Sequence, residues 1–291
     1  MRIHAYVLAA DPTWLRSSVL SYYSIVDRIV VCFDEEHQGW TGAPIDVDSC
    51  LTALRQIDVD NKVTLLGGRF RATTGDLLGA ETAQRTAALA VAGKGADWVL
   101  QLDGDEILPD TGPLLAALEE ATKRELVAVE WPMRVLYRKT LYGRYLQVAT
   151  RTGAPHYEYP GPIAVRPGTR LVDARRTDSA FLRMAVAEDT GSLQLQRPTA
   201  PGETRLPTLA PDQSIWHNSW ARSPRVLRRK LGSWGHSNGA RTWAYYYAVW
   251  LPAPLTWRFL RNLHPFARGL WPRLTLVADA LPPVHSEEGS H

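Results

Sequence analysis

The sequence contains only two cysteines among its 291 residues, Cys32 and Cys50. Their spacing matches neither a zinc knuckle nor a redox pair, so we expect both thiols to be reduced. No run of about 18 apolar residues occurs, which argues against a membrane-spanning helix. The short apolar run near the N-terminus is broken by Asp11-Pro12, which favours a first strand over a signal peptide. We therefore expect a cytoplasmic protein.

Acidic residues are missing from the last part of the chain. Between Gln213 and Ala278 there is no Asp or Glu, whereas the stretch holds nine Arg, one Lys and seven of the eleven Trp. Such an asymmetry indicates that the two parts meet different partners, with something anionic near the second. We expect a main domain over residues 1–212, of which 133–210 form a less regular acceptor-side part. A C-terminal helical region over 213–291 would close the site.

Strand and helix patterns alternate through the first 131 residues. The predicted strands are 3–10, 28–33, 62–66, 98–102 and 126–131, and the predicted helices start at Asp11-Pro12, near residues 47 and 80, and at Thr111. This alternation predicts an α/β fold with an open, mostly parallel sheet flanked by helices. Ligands of such sheets bind beyond the carboxyl ends of the strands. Asp34 and Asp103 both lie at such ends, so they should share one cleft.

Three Asp-x-Asp triplets occur in the chain. Asp46-Val47-Asp48 and Asp58-Val59-Asp60 lie at predicted helix edges, where we expect solvated side chains. Asp103-Gly104-Asp105 directly follows an apolar strand, and Gly104 would permit a sharp exit. Carboxylates at this spacing can hold a hard divalent cation that bridges the phosphates of a nucleotide. The third triplet therefore predicts a site for Mn²⁺ or Mg²⁺, with a polar turn at the strand end as the alternative.

The N-terminal half resembles family 2 glycosyltransferases and their relatives of GT-A type. The likeness rests on Asp34 after a strand, a glycine-containing loop, Gln84-Arg85 and the segment DWVLQLDGDEIL. It implies a Rossmann-like GT-A fold and transfer of a sugar from a nucleotide diphosphate to an acceptor. It also implies that Asp34 binds the nucleoside, that Arg85 lies near the nucleotide, and that Asp103 and Asp105 hold the metal. The family's Asp-Gly-Ser is replaced here by Asp-Glu-Glu-His.

The segment WHNSWARSPRVLRRKLGSWGHS resembles a C-terminal stretch of the same superfamily, in which a histidine completes the metal shell. The resemblance implies that His217 is this ligand, in a loop before a helix that starts at Ser223-Pro224. His236, after the helix, is the alternative ligand. We expect Arg222 and Lys230 to pair with the diphosphate, and the alternative for both is an exposed basic face.

An acceptor hydroxyl must lose its proton, and a carboxylate can take it. The family places this base in a Glu-Asp pair after the metal motif, so the resemblance implies Asp189 of Ala187-Glu188-Asp189. Glu158, in the segment HYEYPGP, is the alternative base. The Gln-x-x-Arg-Trp pattern of processive enzymes is missing, which argues against a polymer synthase.

The stretch from Trp243 to Phe259 contains seven aromatic residues and no charge before Arg258. One alternative is a helical lid packed on the core. The other is a peripheral segment on the inner face of the membrane, where Trp and Tyr rings and Arg258, Arg261 and Arg268 suit the headgroup layer. The acceptor could then be a small molecule, a glycan or a lipid-linked group. No nucleic-acid motif occurs, and we expect no nucleic-acid partner.

Two other functions stay open. Nucleotidyl transfer uses a similar sheet and an acidic metal site, but usually with a glycine-rich, basic loop after the first strand. Here that loop is Ala9-Ala10-Asp11-Pro12, which is neither. The second alternative is a non-catalytic nucleotide-sugar-binding module, and the presence of both Asp103 and Asp105 argues against it.

Overall fold

The computed structural model describes residues 1–73, 75–233, 239–265, 267 and 269–278. The strands are β1 (Ile3–Leu8), β2 (Arg28–Asp34), β3 (Val63–Gly68), β4 (Trp98–Leu100), β5 (Glu106–Ile107), β6 (Ala128–Glu130), β7 (Met133–Lys139), β8 (Tyr145–Ala149), β9 (Tyr157–Glu158), β10 (Pro162–Val165), β11 (Phe181–Val186), β12 (Glu203–Leu209), β13 (Ile215–His217) and β14 (Arg273–Leu276). The helices are α1 (Leu15–Tyr22), α2 (Val47–Ile57), α3 (Leu77–Ala92), α4 (Gly112–Lys123), α5 (Leu193–Gln196), α6 (Pro224–Ser233), α7 (Ala240–Tyr245) and α8 (Ala253–Thr256). Turns of 3₁₀-helix cover Tyr23–Ile25 and Pro211–Gln213, and a π-helical turn covers Tyr246–Trp250.

The larger sheet has the strand order β12-β11-β6-β10-β4-β1-β2-β3. All neighbours pair in parallel except β10, which runs antiparallel to both β4 and β6. Helices α1, α2 and α4 pack on one face and α3 on the other, so the central strands are apolar on both faces. The predicted α/β fold, an open and mostly parallel Rossmann-like sheet flanked by helices, is confirmed.

The chain after Pro132 is more regular than its sequence pattern indicated. Strands β10, β11 and β12 complete the larger sheet, and a second sheet has the order β14-β8-β7-β13-β5, with β9 on β7. Register shifts interrupt the pairing within β7, β10 and β11. These irregularities break the alternation of apolar and polar residues that marks a strand in a sequence. The expectation of an irregular region over 133–210 was therefore wrong.

Helix α3 turns a different face inward from the one predicted. The prediction placed Ala83, Ala87, Ala90 and Val91 inside, but the buried residues are Glu81, Gln84, Arg85, Ala88, Leu89 and Ala92. The polar members of this face find partners. Arg85 pairs with Glu81 at 2.9 Å, and Gln84 accepts a hydrogen bond from the Trp40 indole at 2.8 Å. This face is turned inward because Ala88, Leu89 and Ala92 pack into the core. Arg85 and Gln84 also have partners outside the helix, in Asp103 and Trp40.

The C-terminal region packs on the second sheet. A hydrophobic core joins strands β7, β8 and β14 to the helices that follow His217; it contains Val135, Tyr137, Leu146, Val148, Trp220, Leu227, Leu231, Tyr246, Trp250, Ala253, Leu263, Trp271 and Leu274. One face of the aromatic stretch is thus buried, as the packed-lid alternative requires. Among the described residues, no helix combines the length and apolar character needed to cross a bilayer.

Candidate active site

Acidic residues lie at or just beyond the carboxyl ends of three adjacent strands. Strand β1 lies between β2 and β4 in the sheet. Asp34 ends β2, Asp103 follows β4, and Asp11 follows β1. Because parallel strands end at the same edge, Asp34 and Asp103 lie at the same edge of the sheet. That they share one cleft stays a prediction.

Asp103 is bound by two arginines from different parts of the chain. Its oxygens lie 2.9 and 3.1 Å from Nη2 of Arg85, and Nη1 of Arg175 lies 3.8 Å from Oδ2. Burial alone would raise the pKa of Asp103, but the charges of Arg85 and Arg175 outweigh it and the pKa is lowered. Asp103 is therefore ionised at neutral pH, and Arg85 acts as its positioning partner.

Asp105 contacts three side chains of the C-terminal region. Its Oδ2 accepts hydrogen bonds from Arg222 at 2.6 Å and Lys230 at 3.0 Å. Its Oδ1 faces Nε2 of His217 at 3.7 Å. The structure thus brings Asp105 together with three other predicted site residues.

Main-chain pairing delivers His217 to this position. His217 is the last residue of β13 and pairs with Glu106 of β5, while Asn218 N donates to the Asp105 carbonyl at 2.8 Å. The prediction of a loop at His217 was wrong, because this pairing extends the second sheet to the Asp-x-Asp segment. The ring's Nδ1 is buried and has no hydrogen-bond partner among the described residues. His236 lies outside the described residues.

Arg222 and Lys230, the two basic residues predicted to bind the diphosphate, lie in the cluster around Asp105. Arg222 contacts Asp11 as well as Asp105, and only 5% of the residue is exposed. Burial lowers the pKa of Arg222 to about 10, so the guanidinium stays charged at neutral pH. Burial, together with the charge of Arg222, also lowers the pKa of Lys230, and Asp105 opposes this shift. The alternative of an exposed basic face does not hold for either residue.

Asp11 has a different place from the one its sequence context suggested. The prediction made Asp11-Pro12 the start of a helix, but α1 begins at Leu15. Asp11 Oδ1 instead accepts hydrogen bonds from N and Oγ1 of Thr13, at 2.9 and 2.5 Å. The other oxygen contacts Arg222. A carboxylate therefore occupies the end of β1.

A buried ion pair between Glu106 and Arg175 contacts the Asp-x-Asp segment. Both carboxylate oxygens of Glu106 accept from Arg175, at 2.6 and 2.8 Å, and Glu106 has no exposed surface. Glu106 Oε2 also accepts from Asp103 N at 3.0 Å. The sequence prediction missed both residues. The position of Glu106 directly after the triplet was a usable signal, whereas Arg175 is 69 residues away and had none.

Gly104 serves close packing. It is not among the glycines with positive φ, so the chain leaves β4 here without a left-handed backbone at this residue. A Cβ at this position would lie 3.1 Å from Cδ1 of Leu15. Ser18 of the same helix donates to the Asp103 carbonyl at 2.9 Å. Helix α1 can approach the triplet this closely because residue 104 has no side chain.

The side chain of Asp34 accepts hydrogen bonds from three backbone amides. Its Oδ1 accepts from the amides of Glu36 and Gln38, at 3.0 and 3.1 Å, and its Oδ2 accepts from Phe70 N at 2.8 Å. The side chain thereby fixes the loop after β2 against the end of β3, and it is buried. The nucleoside contact implied by the resemblance stays a prediction for this residue.

The two candidate bases differ in their surroundings. Asp189 stabilises its own turn: Oδ1 accepts from Gly191 N and Ser192 N, and Oδ2 from Ser192 Oγ at 2.5 Å. Glu158 accepts a hydrogen bond from the Trp271 indole. Burial raises the pKa of Glu158, and the bond from Trp271 and the charge of His217 only partly offset this. Strands β9 and β13 both pair with β7, where Glu158 lies opposite Met133 and His217 opposite Val135.

The other two Asp-x-Asp triplets are structural. Asp46 caps α2 by accepting from Ser49 N at 3.3 Å. Asp58 accepts from the Tyr23 hydroxyl and from the Lys62 amide, at 2.9 and 2.7 Å. Neither triplet contacts the cluster around Asp105 in the described contacts, which agrees with the prediction that they lie at helix edges.

The cluster offers two side-chain atoms, one from Asp105 and one from His217, as ligands for a divalent ion. Within the described part of the chain, no group of three or more His, Cys, Asp or Glu side chains is arranged to hold a metal. Asp105 Oδ1 and His217 Nε2 nevertheless face each other at 3.7 Å, while both cations lie on Oδ2. Two ligands on neighbouring positions of an ion, each at about 2.1 Å, lie roughly 3 Å apart. Mg²⁺ commonly binds through one or two carboxylates and takes substrate phosphates and water as its other ligands.

No family profile and no curated protein matches this sequence. Among solved structures, the chain is similar to a 4-diphosphocytidyl-2C-methyl-D-erythritol synthase from Anaerococcus prevotii (15% identity, TM-score 0.34, covering 57% of this chain and 71% of that chain). It is also similar to a mannose-6-phosphate isomerase from Helicobacter pylori (14% identity, TM-score 0.30, covering 57% of this chain and 61% of that chain). A third similar structure is a CMP:2-keto-3-deoxy-manno-octonic acid synthetase complexed with CTP (12% identity, TM-score 0.33, covering 57% of this chain and 73% of that chain).

Two of these three structures are nucleotidyltransferases, the class of the alternative function, and the third is an isomerase. The resemblance to family 2 glycosyltransferases stays a prediction.

Proposed function

We propose that this protein is a glycosyltransferase that moves a sugar from a nucleotide diphosphate to an acceptor hydroxyl with the help of a divalent ion. The observation that carries the proposal is the cluster around Asp105. There a carboxylate and an imidazole face each other, and two cations from the C-terminal region reach the same group. A diphosphate with a divalent ion needs this combination of ligand atoms and positive charge.

Asp105 and His217 would hold the ion in this proposal, with Asp103 beside them on the same segment. A bound Mn²⁺ or Mg²⁺ would neutralise charge on the leaving diphosphate. His217 would add a neutral imidazole ligand to the carboxylate of Asp105, and it would do so without adding charge to the site.

Arg222 and Lys230 are proposed to change partners when the donor binds. Both now share Oδ2 of Asp105, at 2.6 and 3.0 Å. A divalent ion on Asp105 would compete with them for the carboxylate, and the diphosphate would offer them new acceptor oxygens. Metal and nucleotide would thus enter together with little change in the local net charge. The region after residue 212 completes the site in this account.

Glu158 is the carboxylate that we propose takes the acceptor's proton. In the proposed step, the bond between the anomeric carbon and the diphosphate oxygen breaks and its electron pair leaves with the diphosphate. A bond forms between the acceptor oxygen and that carbon, and the hydroxyl proton passes to the Glu158 carboxylate. Asp189 is the weaker candidate, because three donors of its own turn occupy its oxygens.

The Trp271 contact makes the role of Glu158 testable through pH. Trp271→Phe removes the indole donor, and because that bond lowers the pKa of Glu158, its loss should raise it. A base must be ionised, so the acidic limb of the activity profile should move to higher pH. Activity should fall at low pH and recover at high pH. The measurement is kcat against pH for the unmodified protein and the variant.

Trp257→Phe is the matched control for this change. Trp257 belongs to the same aromatic region, but its ring lies against Arg258 rather than bonding a carboxylate. Its profile should match that of the unmodified protein. If Trp271→Phe lowers activity equally at every pH, Glu158 is not the base.

Nucleotidyl transfer is the competing function, since it uses a similar sheet. It requires a place for a triphosphate, usually at a glycine-rich loop after the first strand. Here the Asp11 carboxylate occupies that position and is bonded to Thr13 and Arg222. The loop after β1 therefore lacks the glycine-rich, basic character of a triphosphate site of this kind, which favours the glycosyl-transfer proposal.

The proposed metal site is tested by titrating Mn²⁺ against His217→Ala. The midpoint of the Mn²⁺ dependence, in activity or in nucleotide-induced thermal shift, should rise by about 10- to 100-fold. His37→Ala is the control, because His37 is partly exposed and lies beside Asp48 of a structural triplet. It should titrate like the unmodified protein. If His217→Ala also does so, the ion is not held at this cluster.

A further inference from the structure

The helical stretch after residue 239 has an apolar face that nothing in the described structure covers. Tyr247, Leu251, Leu255 and Phe259 are 57%, 39%, 70% and 83% exposed. They are four residues apart in the sequence, and they lie in the π-helical turn Tyr246–Trp250, in α8 and in the turns that flank α8. We call these four residues the apolar face.

The opposite side of the same stretch is already packed. Tyr246, Trp250 and Ala253 are buried in the core shared with the second sheet. A helix of a soluble protein normally turns polar residues to solvent opposite its packed side. Here the solvent side carries large apolar residues instead, and such exposed patches mark sites of interaction.

The charges at the ends of the apolar face indicate its partner. Arg241 and Arg258 are exposed and bracket a segment with no charged residue, and no acidic residue occurs between Gln213 and Ala278. Arg258 lies over the Trp257 ring at 4.6 Å. Aromatic rings with arginines beside them suit the boundary between headgroups and acyl chains.

We propose that the apolar face docks on a membrane surface rich in anionic phospholipid. Phe259 and Leu255 would insert among the acyl chains, while Arg241 and Arg258 contact phosphate groups. A second copy of the chain suits the surface less well, because a symmetric contact would bring these arginines against each other. The proposal does not depend on the reaction catalysed.

The test is co-sedimentation of the full chain with vesicles of phosphatidylcholine, alone or mixed with phosphatidylglycerol. The protein should bind the mixed vesicles, and added salt should weaken binding. Leu255→Ser with Phe259→Ser should lower the partition coefficient by at least about tenfold. Val59→Ser, at an exposed valine far along the chain, is the matched control and should bind normally.

Arg241→Gln with Arg258→Gln tests the charge independently. This variant should bind mixed vesicles more weakly and with less dependence on salt. Equal binding to both kinds of vesicle, or normal binding by the Leu255 and Phe259 double variant, would overturn the proposal. So would self-association that this double variant abolishes, if no vesicle binding accompanies it.

Discussion

Asp105→Asn should reduce sugar transfer by about a thousandfold, since charge stabilisation at a metal-assisted leaving group contributes several kcal/mol. The substitution keeps the size of the side chain but removes the charge that faces His217 and binds Arg222 and Lys230. The ligand for the ion and the anchor for both cations are lost together. The measurement is kcat/KM for the donor at saturating Mn²⁺, with thermal unfolding to show that the fold is kept.

Asp48→Asn is the matched control for this experiment. It makes the same change in another Asp-x-Asp triplet, at a side chain that is 82% exposed. Its activity should be close to that of the unmodified protein. If the Asp105→Asn variant keeps most of its activity, or if activity survives excess EDTA, a divalent ion bound at Asp105 is not needed for the reaction.

Arg175→Met should lower the free energy of unfolding by about 3–5 kcal/mol, because it leaves the buried Glu106 carboxylate without its partner. Arg175 and Glu106 form a two-pronged pair at 2.6 and 2.8 Å, and Glu106 is fully buried. The double variant Arg175→Met with Glu106→Gln should recover part of the loss, since no charge is then stranded. Urea denaturation of the single and double variants measures both effects.

Arg124→Met provides the comparison. Arg124 pairs with Glu120 at the same 2.6 Å separation, but both side chains are partly exposed on α4. Exposed pairs contribute about 0–1 kcal/mol. If Arg175→Met costs no more than Arg124→Met, the buried pair does not support the Asp-x-Asp segment as described.

The sequence predicted most of the larger sheet because its first strands are continuous apolar runs separated by helical patterns. The orientation of α3 was not predictable in the same way. Its inward face carries Glu81, Gln84 and Arg85, and a periodicity argument assigns such residues to solvent. They lie inside because Asp103, Trp40 and the Glu81–Arg85 pair satisfy them, which is information that only the folded chain contains.

The candidate site likewise contains some residues that the sequence predicted and others that only the structure shows. Asp103 and Asp105 follow from their position after an apolar strand, and the resemblance added His217. Arg175 could not be found, because its contact with Glu106 depends on a chain reversal between distant segments. Asp11 could have been found, since the strand-end argument applied to Asp34 applies equally to the end of β1.

The identity of the released nucleotide tests the central claim most directly. The protein would be incubated with Mn²⁺ and a panel of nucleotide diphosphate sugars, and separately with nucleoside triphosphates and sugar phosphates. The account predicts release of a nucleoside diphosphate from one of the nucleotide sugars, and loss of that release in Asp105→Asn. Release of pyrophosphate from a triphosphate, with no nucleoside diphosphate from any nucleotide sugar, would contradict the account and establish nucleotidyl transfer instead.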